Sequence, residues 1–157
     1  MSEAFQIRGG KKLHGEITPQ GAKNEALQIL CAVLLTDEEV RIKNIPDIHD
    51  VNRLIEILGD FGVKITKNAH GDYTFKADQV NFDYIKSKEF KKDGAKLRGS
   101  IMILGPMLAR FGEAYMPTPG GDKIGRRRLD THFQGCVELG AELHNDETEY
   151  YYTLKTK

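Results

Sequence analysis

The chain has 157 residues, of which 39% are hydrophobic and 29% charged, and its 23 basic residues balance its 23 acidic ones. A chain of this length can bury a sizeable core, in one domain or in two small ones. The zero net charge excludes a global basic field, so neither a nucleic acid nor a membrane is expected as a partner. The longest apolar stretch, residues 29–35, is far shorter than a membrane span, and no secretory signal opens the chain. We therefore expect a cytoplasmic protein whose anion sites are local.

The two cysteines, Cys31 and Cys136, lie among apolar residues and show no CxxC or Cys/His ligand spacing. Neither a disulfide framework nor a zinc site is therefore predicted. Both thiols are expected to be small buried side chains in a reducing compartment. The sequence gives no reason to expect a metal or a cofactor.

The first half of the chain alternates between strand and helix patterns. Residues 5–17 contain two alternating apolar runs around a glycine turn, which predicts a β-hairpin. From Lys23 to Leu35 apolar residues recur at helical spacing, which predicts a helix. The pattern then predicts, in order, a strand, a helix and two strands, near residues 40–42, 51–58, 63–65 and 73–75.

The same order of patterns returns later, which indicates an internal repeat. The run that begins at Leu27 aligns with the run at Ile101, and the run at Phe61 aligns with the run at Leu139. Each copy is interpreted as a β-α-β-α-β-β unit of an α/β (α+β) fold, whose helices need a sheet to bury their apolar faces. The predicted boundaries are a hairpin at 1–17, a first unit at 18–78, a solvated, charge-rich linker at 79–95 and a second unit at 96–157.

Three segments place cations beside glycines, as polyanion sites often do. Residues 21–24 open the first helix, so backbone N–H groups and the Lys23 ammonium can converge on a phosphate. Arg98 occupies the equivalent place in the second copy, and residues 120–128 add four cations and one carboxylate. From the residues alone, an enzyme fragment, a free-standing anion-binding module and a nucleic-acid-binding protein stay open. The arginines lack interleaved aromatic residues for base stacking, which argues against the last.

Three separated motifs carry a resemblance to a known family. They are Gly21-Ala22-Lys23-Asn24, Arg98-Gly99-Ser100-Ile101, and Pro119-Gly120-Gly121 followed by Asp130-Thr131-His132. In this order they resemble the UDP-N-acetylglucosamine 1-carboxyvinyltransferase (MurA) family, from about Phe5 to the end of the chain. The resemblance implies transfer of the enolpyruvyl group of phosphoenolpyruvate to the 3-hydroxyl of UDP-N-acetylglucosamine, the first committed step of peptidoglycan synthesis. The related 3-phosphoshikimate carboxyvinyltransferase family, with its lysine in a Gly-Ser-Lys-Ser context, is the second interpretation.

The resemblance also implies roles for individual residues. Lys23, Arg98 and Arg127 would bind phosphoenolpyruvate, with Lys23 and Arg127 acting in catalysis, and Asn24 would hold the sugar nucleotide. The uridine and diphosphate side would be lined by Arg127, Arg128, Leu129, Asp130, Thr131 and His132. Several fixed cations suit a small substrate that carries both a phosphate and a carboxylate.

Asp122 stands where most members of the family have a cysteine. Some members carry aspartate there, and the resemblance implies insensitivity to fosfomycin, an epoxide that alkylates the thiolate. A carboxylate is a weaker nucleophile toward the epoxide, yet it can deliver a proton to the methylene carbon of phosphoenolpyruvate. Asp122 is therefore expected to be the general acid. Arg128 is a second departure, because the family usually has a proline there.

Members of the family are more than twice as long as this chain. They fold as two domains of an inside-out α/β barrel type, each built from three repeats, with the active site between them. The resemblance places the hairpin at 1–17 in the other domain and the base for the sugar hydroxyl in the absent part. We expect this chain to be an N-terminal part holding two of the three repeats of one domain, inactive alone, with exposed apolar surface that favours self-association.

Overall fold

The computed structural model describes residues 4–118, 128–146 and 151–156. Two units follow each other, each with the order helix, strand, helix, strand, strand, so the predicted repeat is confirmed. The first unit contains α1 (Lys23–Ala32), β1 (Glu39–Ile42), α2 (His49–Asp60), β2 (Lys64–Ala69) and β3 (Asp72–Lys76). Two short helices connect the units, α3 (Phe82–Ile85) and α4 (Lys88–Lys96). The second unit contains α5 (Leu104–Phe111), β4 (Glu113–Pro117), α6 (Asp130–Glu138), β5 (Glu142–Asp146) and β6 (Tyr151–Lys155).

Each unit contains a three-stranded antiparallel sheet whose middle strand is the last one in the chain. The strand orders are β1-β3-β2 and β4-β6-β5. In the first sheet Phe75 lies between Val40 and Ile65, and Leu154 holds the same place in the second sheet. Phe75 and Leu154 are both fully buried, so equivalent residues of the two copies fill equivalent places in the core.

The predicted N-terminal hairpin is wrong for this structure. Residues 4–22 form no strand, and Phe5, Ile7, Leu13 and Ile17 are each more than four-fifths exposed. A two-stranded hairpin with nothing packed on its apolar face is at best marginally stable in water, which explains the difference. Each unit consequently begins with its helix, and the first strand of the β-α-β-α-β-β interpretation is not found in the described residues.

The charge-rich connection, predicted as a solvated linker, is helical, and it exposes most of its charged side chains while burying two apolar ones. Ile85 and Phe90 are fully buried, and the Phe90 ring packs edge to face on Phe61 with centroids 5.1 Å apart. The Ser87 hydroxyl caps α4 by accepting a hydrogen bond from the Phe90 N–H at 3.1 Å. The lysines of this segment are spaced so that one apolar face of each helix still reaches the core.

One hydrophobic core spans both units. The 3₁₀ helix Arg98–Ile103, which leads into α5, contacts α1, and the 3₁₀ helix Val33–Leu35 contacts α5. The approach is closest at Gly99, where an added Cβ would lie 2.9 Å from Cδ1 of Leu27. A side chain at this position would require the Leu27 side chain to move, because such a distance is shorter than van der Waals contact.

Arg110 of α5 joins the two units through polar contacts. Its Nη1 group donates to the carbonyl oxygens of Leu34, Thr36 and Ala77, at 3.0, 2.9 and 2.9 Å. All three acceptors belong to the first unit or follow its last strand. Arg110 therefore fixes the position of α5 against the end of the first unit. No helix among the described residues is long and apolar enough to cross a membrane.

Candidate functional site

The structure brings Lys23, Asn24 and Arg98 to one pocket of about 360 Å³. Lys23 is the first residue of α1 and Arg98 begins the 3₁₀ helix of the second unit, so contact between these elements places both cations at one edge. Lys96 adds a third cation and Asp50 one carboxylate. The other lining residues are Leu27, Gln28, Leu97, Gly99, Ile101 and Met102. An apolar floor with converging cations is an arrangement that binds a small anion.

The N-terminal end of α1 lies at this pocket, which Lys23 and Asn24 line. Ala22 occupies the N-cap position and supplies no side-chain cap, so the first-turn N–H groups are not capped by it. The uncapped N–H groups of a helix carry partial positive charge and can bind a phosphate oxygen. The structure confirms that a helix begins at Lys23, and anion binding by residues 21–24 stays a prediction.

Lys23 is held in an ion pair. Its Nζ lies 2.5 Å from Oδ2 of Asp50, the second residue of α2, and the two side chains are 44% and 38% exposed. A carboxylate is favoured in the first turn of a helix and an ammonium is disfavoured there, so Asp50 offsets the field of α1 on Lys23. Asp50 was not predicted as a site residue. The available signal was that an acidic residue opens the second helix of the same unit.

Arg98 also lines a second, more open pocket of about 530 Å³. Leu129 and Asp130 line this pocket together with the rings of Phe133 and Tyr152. The Arg98 Nη2 group is 3.5 Å from the carbonyl oxygen of Arg128. Two of the residues predicted for the nucleotide side thus lie next to a residue predicted for phosphoenolpyruvate.

The remaining predicted site residues lie outside the lining of these two pockets or outside the described ranges. Arg128 is exposed and forms an ion pair with Asp130. Thr131 and His132 are exposed in the first turn of α6 and do not line either of these two pockets. Asp122 and Arg127 lie outside the described residues, so their roles stay predictions.

The two thiols have no catalytic environment. Cys31 is fully buried, and burial raises the pKa of its thiol well above the usual value. Cys136 is half-buried, and burial also raises its pKa. The prediction of a buried side chain is thus confirmed for Cys31, whereas Cys136 is only partly covered. The described ranges contain no group of three or more His, Cys, Asp or Glu side chains arranged to hold a metal ion.

Comparison with solved structures identifies the fold. The enolpyruvyl transferase NikO from Streptomyces tendae is similar over 95% of this chain and 31% of its own, with a TM-score of 0.73 and 20% identity. EPSP synthase from Acinetobacter baumannii is similar over 90% of this chain and 32% of its own, with a TM-score of 0.54 and 13% identity. The two repeated units therefore have the fold of the enolpyruvyl transferases.

A family model confirms this class from the sequence. The model described as EPSP synthase (3-phosphoshikimate 1-carboxyvinyltransferase) matches residues 7–157, and the chain belongs to that family. Curated relatives of this chain carry a name that differs from the description of the family model. Proteins named UDP-N-acetylglucosamine 1-carboxyvinyltransferase are 55% identical in Bacteroides thetaiotaomicron, over 96% of this chain, and 44% identical in Borreliella burgdorferi, over 89%. The chain spans 35% and 32% of those two relatives, about a third of their length.

Proposed function

We propose that this chain forms part of a UDP-N-acetylglucosamine 1-carboxyvinyltransferase, which acts in the first committed step of peptidoglycan synthesis in the cytoplasm. The observation that carries the proposal is the convergence of Lys23, Asn24 and Arg98 on one pocket. Relatives with this name are 54% to 57% identical to the chain over nearly its whole length. Identity at this level over nearly the whole chain supports the same substrate class.

The proposed reaction moves an enolpyruvyl group with loss of phosphate. The 3-hydroxyl oxygen of the sugar adds to C2 of phosphoenolpyruvate while a proton is added to C3. The C2–O bond to phosphate then breaks and a proton leaves C3, which gives the enolpyruvyl ether and inorganic phosphate. Lys23 and Arg98 would stabilise the phosphoryl charge, since preorganised cations lower the energy of a transition state in which charge develops.

Two of the other roles are assigned to Asp122 and Arg127, which lie outside the described part of the chain. We propose Asp122 as the donor of the proton to C3 and Arg127 as a further ligand of phosphoenolpyruvate. Asn24, Arg128, Leu129, Asp130, Thr131 and His132 are proposed to contact the sugar nucleotide. Because the chain spans about a third of the relatives' length, the base for the sugar hydroxyl is proposed to lie beyond it. We accordingly propose that the 157-residue chain binds substrate but does not turn it over.

Insensitivity to fosfomycin belongs to the same proposal. The sequence has two cysteines, Cys31 and Cys136, and burial raises the pKa of both thiols. A thiol must be a thiolate to attack an epoxide, so neither residue is a good target. Intact-mass measurement after incubation with fosfomycin is expected to show the unmodified chain.

Transfer to shikimate 3-phosphate is the second candidate, because the matching family model is described by that reaction. Both reactions use phosphoenolpyruvate, and they differ in the acceptor. The pocket lined by Leu129 and Phe133 has apolar walls beside Arg98, which fit a base and a diphosphate better than a small polyhydroxylated acid.

A binding titration with the two acceptors tests the proposal. The chain is expected to bind UDP-N-acetylglucosamine saturably and to ignore shikimate 3-phosphate, and to release no phosphate when phosphoenolpyruvate is added. Lys23→Gln and Arg98→Gln should weaken phosphoenolpyruvate binding, whereas Lys64→Gln should not, because Lys64 is on β2 and pairs with Asp78. Saturable binding of shikimate 3-phosphate alone would refute the sugar-nucleotide assignment, and phosphate release at an enzymatic rate would refute the inactivity of the chain.

A further inference from the structure

We propose that Asp50 is a competing counterion of Lys23, which weakens the hold of the pocket on a phosphoryl anion so that inorganic phosphate can leave after reaction. Asp50 lines the pocket together with Lys23 and Arg98 and places a carboxylate oxygen 2.5 Å from the Lys23 ammonium. The inference rests on the proposed function only in taking phosphate as the product that leaves. The competition itself follows from the geometry of the ion pair.

Asp50 is positioned by α2 and not by Lys23 alone. It lies in the first turn of α2, where the helix dipole favours a carboxylate. Val51, the next residue, and Leu54, one turn further along that helix, are fully buried, so the backbone that carries Asp50 is anchored in the core. The carboxylate therefore stays at the wall of the pocket when the flexible lysine side chain moves. An anion that binds Lys23 must share or displace this fixed partner.

Asp50 has two opposing effects on a phosphate. It restricts the Lys23 side chain to a place beside the pocket, which favours binding by lowering the entropy cost of ordering a long side chain. It also repels the phosphate dianion directly and occupies the ammonium. The ion pair is about two-fifths exposed, and pairs of this kind are weak, so the ordering benefit is small. Occupation of the Lys23 ammonium by a fixed carboxylate, together with the repulsion between that carboxylate and a doubly charged anion, outweighs this benefit.

The charge of the pocket has a simple consequence. Lys23, Lys96 and Arg98 supply three positive charges, and Asp50 removes one of them. Replacement of Asp50 by Asn removes the carboxylate from the lining of the pocket and leaves its three cations, of which Lys96 also pairs with Asp93 at 3.3 Å. Such a pocket should retain phosphate, and retention of a product slows each subsequent round of binding.

The test is a titration of the full 157-residue chain with inorganic phosphate, followed by NMR, at about 0.02 M and about 0.5 M salt. Asp50→Asn is expected to tighten phosphate binding roughly three- to tenfold at the lower salt, with a smaller gain at the higher salt. Asp50→Glu keeps the charge and should stay within about twofold of the unaltered chain. The matched control is Asp47→Asn. Asp47 lies just before α2, accepts a hydrogen bond from Asn52 and lines neither of the two pockets described above. The phosphate affinity of this variant should also stay within about twofold of that of the unaltered chain.

A double-variant cycle separates competition for Lys23 from a general charge effect. The gain from Asp50→Asn should shrink when Lys23 is replaced by Gln, because no ammonium is then being shared. An equal gain in both backgrounds, no gain, or weaker binding by Asp50→Asn would overturn the inference. If phosphate binds to none of the variants, the inference and the anion pocket of the proposed function both fail. If phosphate responds as expected but UDP-N-acetylglucosamine does not bind, the role of Asp50 stands and the sugar-nucleotide assignment fails.

Discussion

The two units share one topology but differ in how much of their surface they bury. In the first unit the second helix, α2, buries Val51, Leu54, Ile57 and Leu58. In the second unit the corresponding helix, α6, buries Phe133, while Val137 and Leu139 are 44% and 92% exposed. The same order of elements therefore gives a packed unit in one case and an open unit in the other.

The difference shows how the two units divide their contributions. The first unit supplies about half of the buried hydrophobic residues in the described part of the chain and places Lys23 and Asp50 on the ends of well-packed helices. The second unit supplies Arg98 and an open surface beside it, lined by Leu129, Asp130 and their neighbours. A substrate that fits the site accordingly meets Lys23, carried by a well-packed helix, on one side and an accessible surface with apolar side chains on the other.

The largest expected effect tests the unequal packing directly. Leu54→Ala in α2 is expected to lower the free energy of unfolding by about 2 to 5 kcal/mol, because it leaves a cavity in a fully buried place. Val137→Ala in α6 is the matched truncation and should change the free energy of unfolding by less than about 0.5 kcal/mol. Urea unfolding followed by circular dichroism measures both. Equal losses would show that the two helices are packed alike and would contradict the comparison.

The next effect tests how the units are joined. Arg110→Gln is expected to lower the free energy of unfolding by about 2 to 3 kcal/mol, because the carbonyls of Leu34, Thr36 and Ala77 lose their charged donor. Arg8→Gln, in the exposed N-terminal segment, removes the same charge and should have almost no effect. Native-state hydrogen exchange should show the loss in both units. A loss confined to α5 would mean that Arg110 does not couple them.

A smaller effect compares the cation from each unit. Lys23→Gln and Arg98→Gln are each expected to weaken phosphoenolpyruvate binding roughly tenfold, since each removes one charged contact with the same anion. Calorimetric titration of the two single variants and the double variant measures the effects. If one substitution has no effect, that unit does not contribute to the pocket.

The smallest effect concerns the two sheets. The Arg41 guanidinium donates two hydrogen bonds to Asp72, at 2.9 and 2.7 Å, and lowers the pKa of that carboxyl to about 2. In the second sheet the equivalent strand position is occupied by Tyr115, whose ring stacks on Tyr151 with centroids 6.0 Å apart. Because the pKa of Asp72 is lower in the folded chain than in the unfolded chain, the pair contributes stability above about pH 4 and loses it as the pH falls toward 2.

Thermal unfolding at several pH values checks this contribution. Arg41→Gln should lower the midpoint temperature of unfolding slightly at pH 7. The difference in midpoint temperature between this variant and the unaltered chain should disappear as the pH falls through about 2. Lys12→Gln, an exposed cation in the N-terminal segment, is the control and should show no such dependence on pH. A difference for Arg41→Gln that persists at the lowest pH would show that Asp72 is not its partner.

Much of the fold could be predicted from the sequence because its signals are local. The periodicity from Lys23 onward predicts α1, and the alignment of the runs at Leu27 and Ile101 predicts the second unit. The hairpin at residues 5–17 could not be judged in the same way, because its stability depends on what packs against it. The helices of the connection were missed because their lysines conceal the buried positions Ile85 and Phe90.

The candidate site was predicted in part. Lys23, Asn24 and Arg98 were found because each lies at a helix start beside a glycine or in a recognisable motif. Asp50 was missed, since a carboxylate that opens a helix is an ordinary capping feature until the structure shows which cation it meets. Only the contact between α1 and the 3₁₀ helix at Arg98 shows that residues from two units form one pocket.

The most direct test of the central claim is an NMR titration of the chain with phosphoenolpyruvate, with the backbone signals of both units assigned. The signals of residues 23–24 and 96–99 are expected to shift together with one common dissociation constant, while those of β2 and β3 stay unchanged. Shifts confined to one unit, or centred on Lys88 and Lys92 of α4, would contradict the account, because the pocket would then not be shared by the two units.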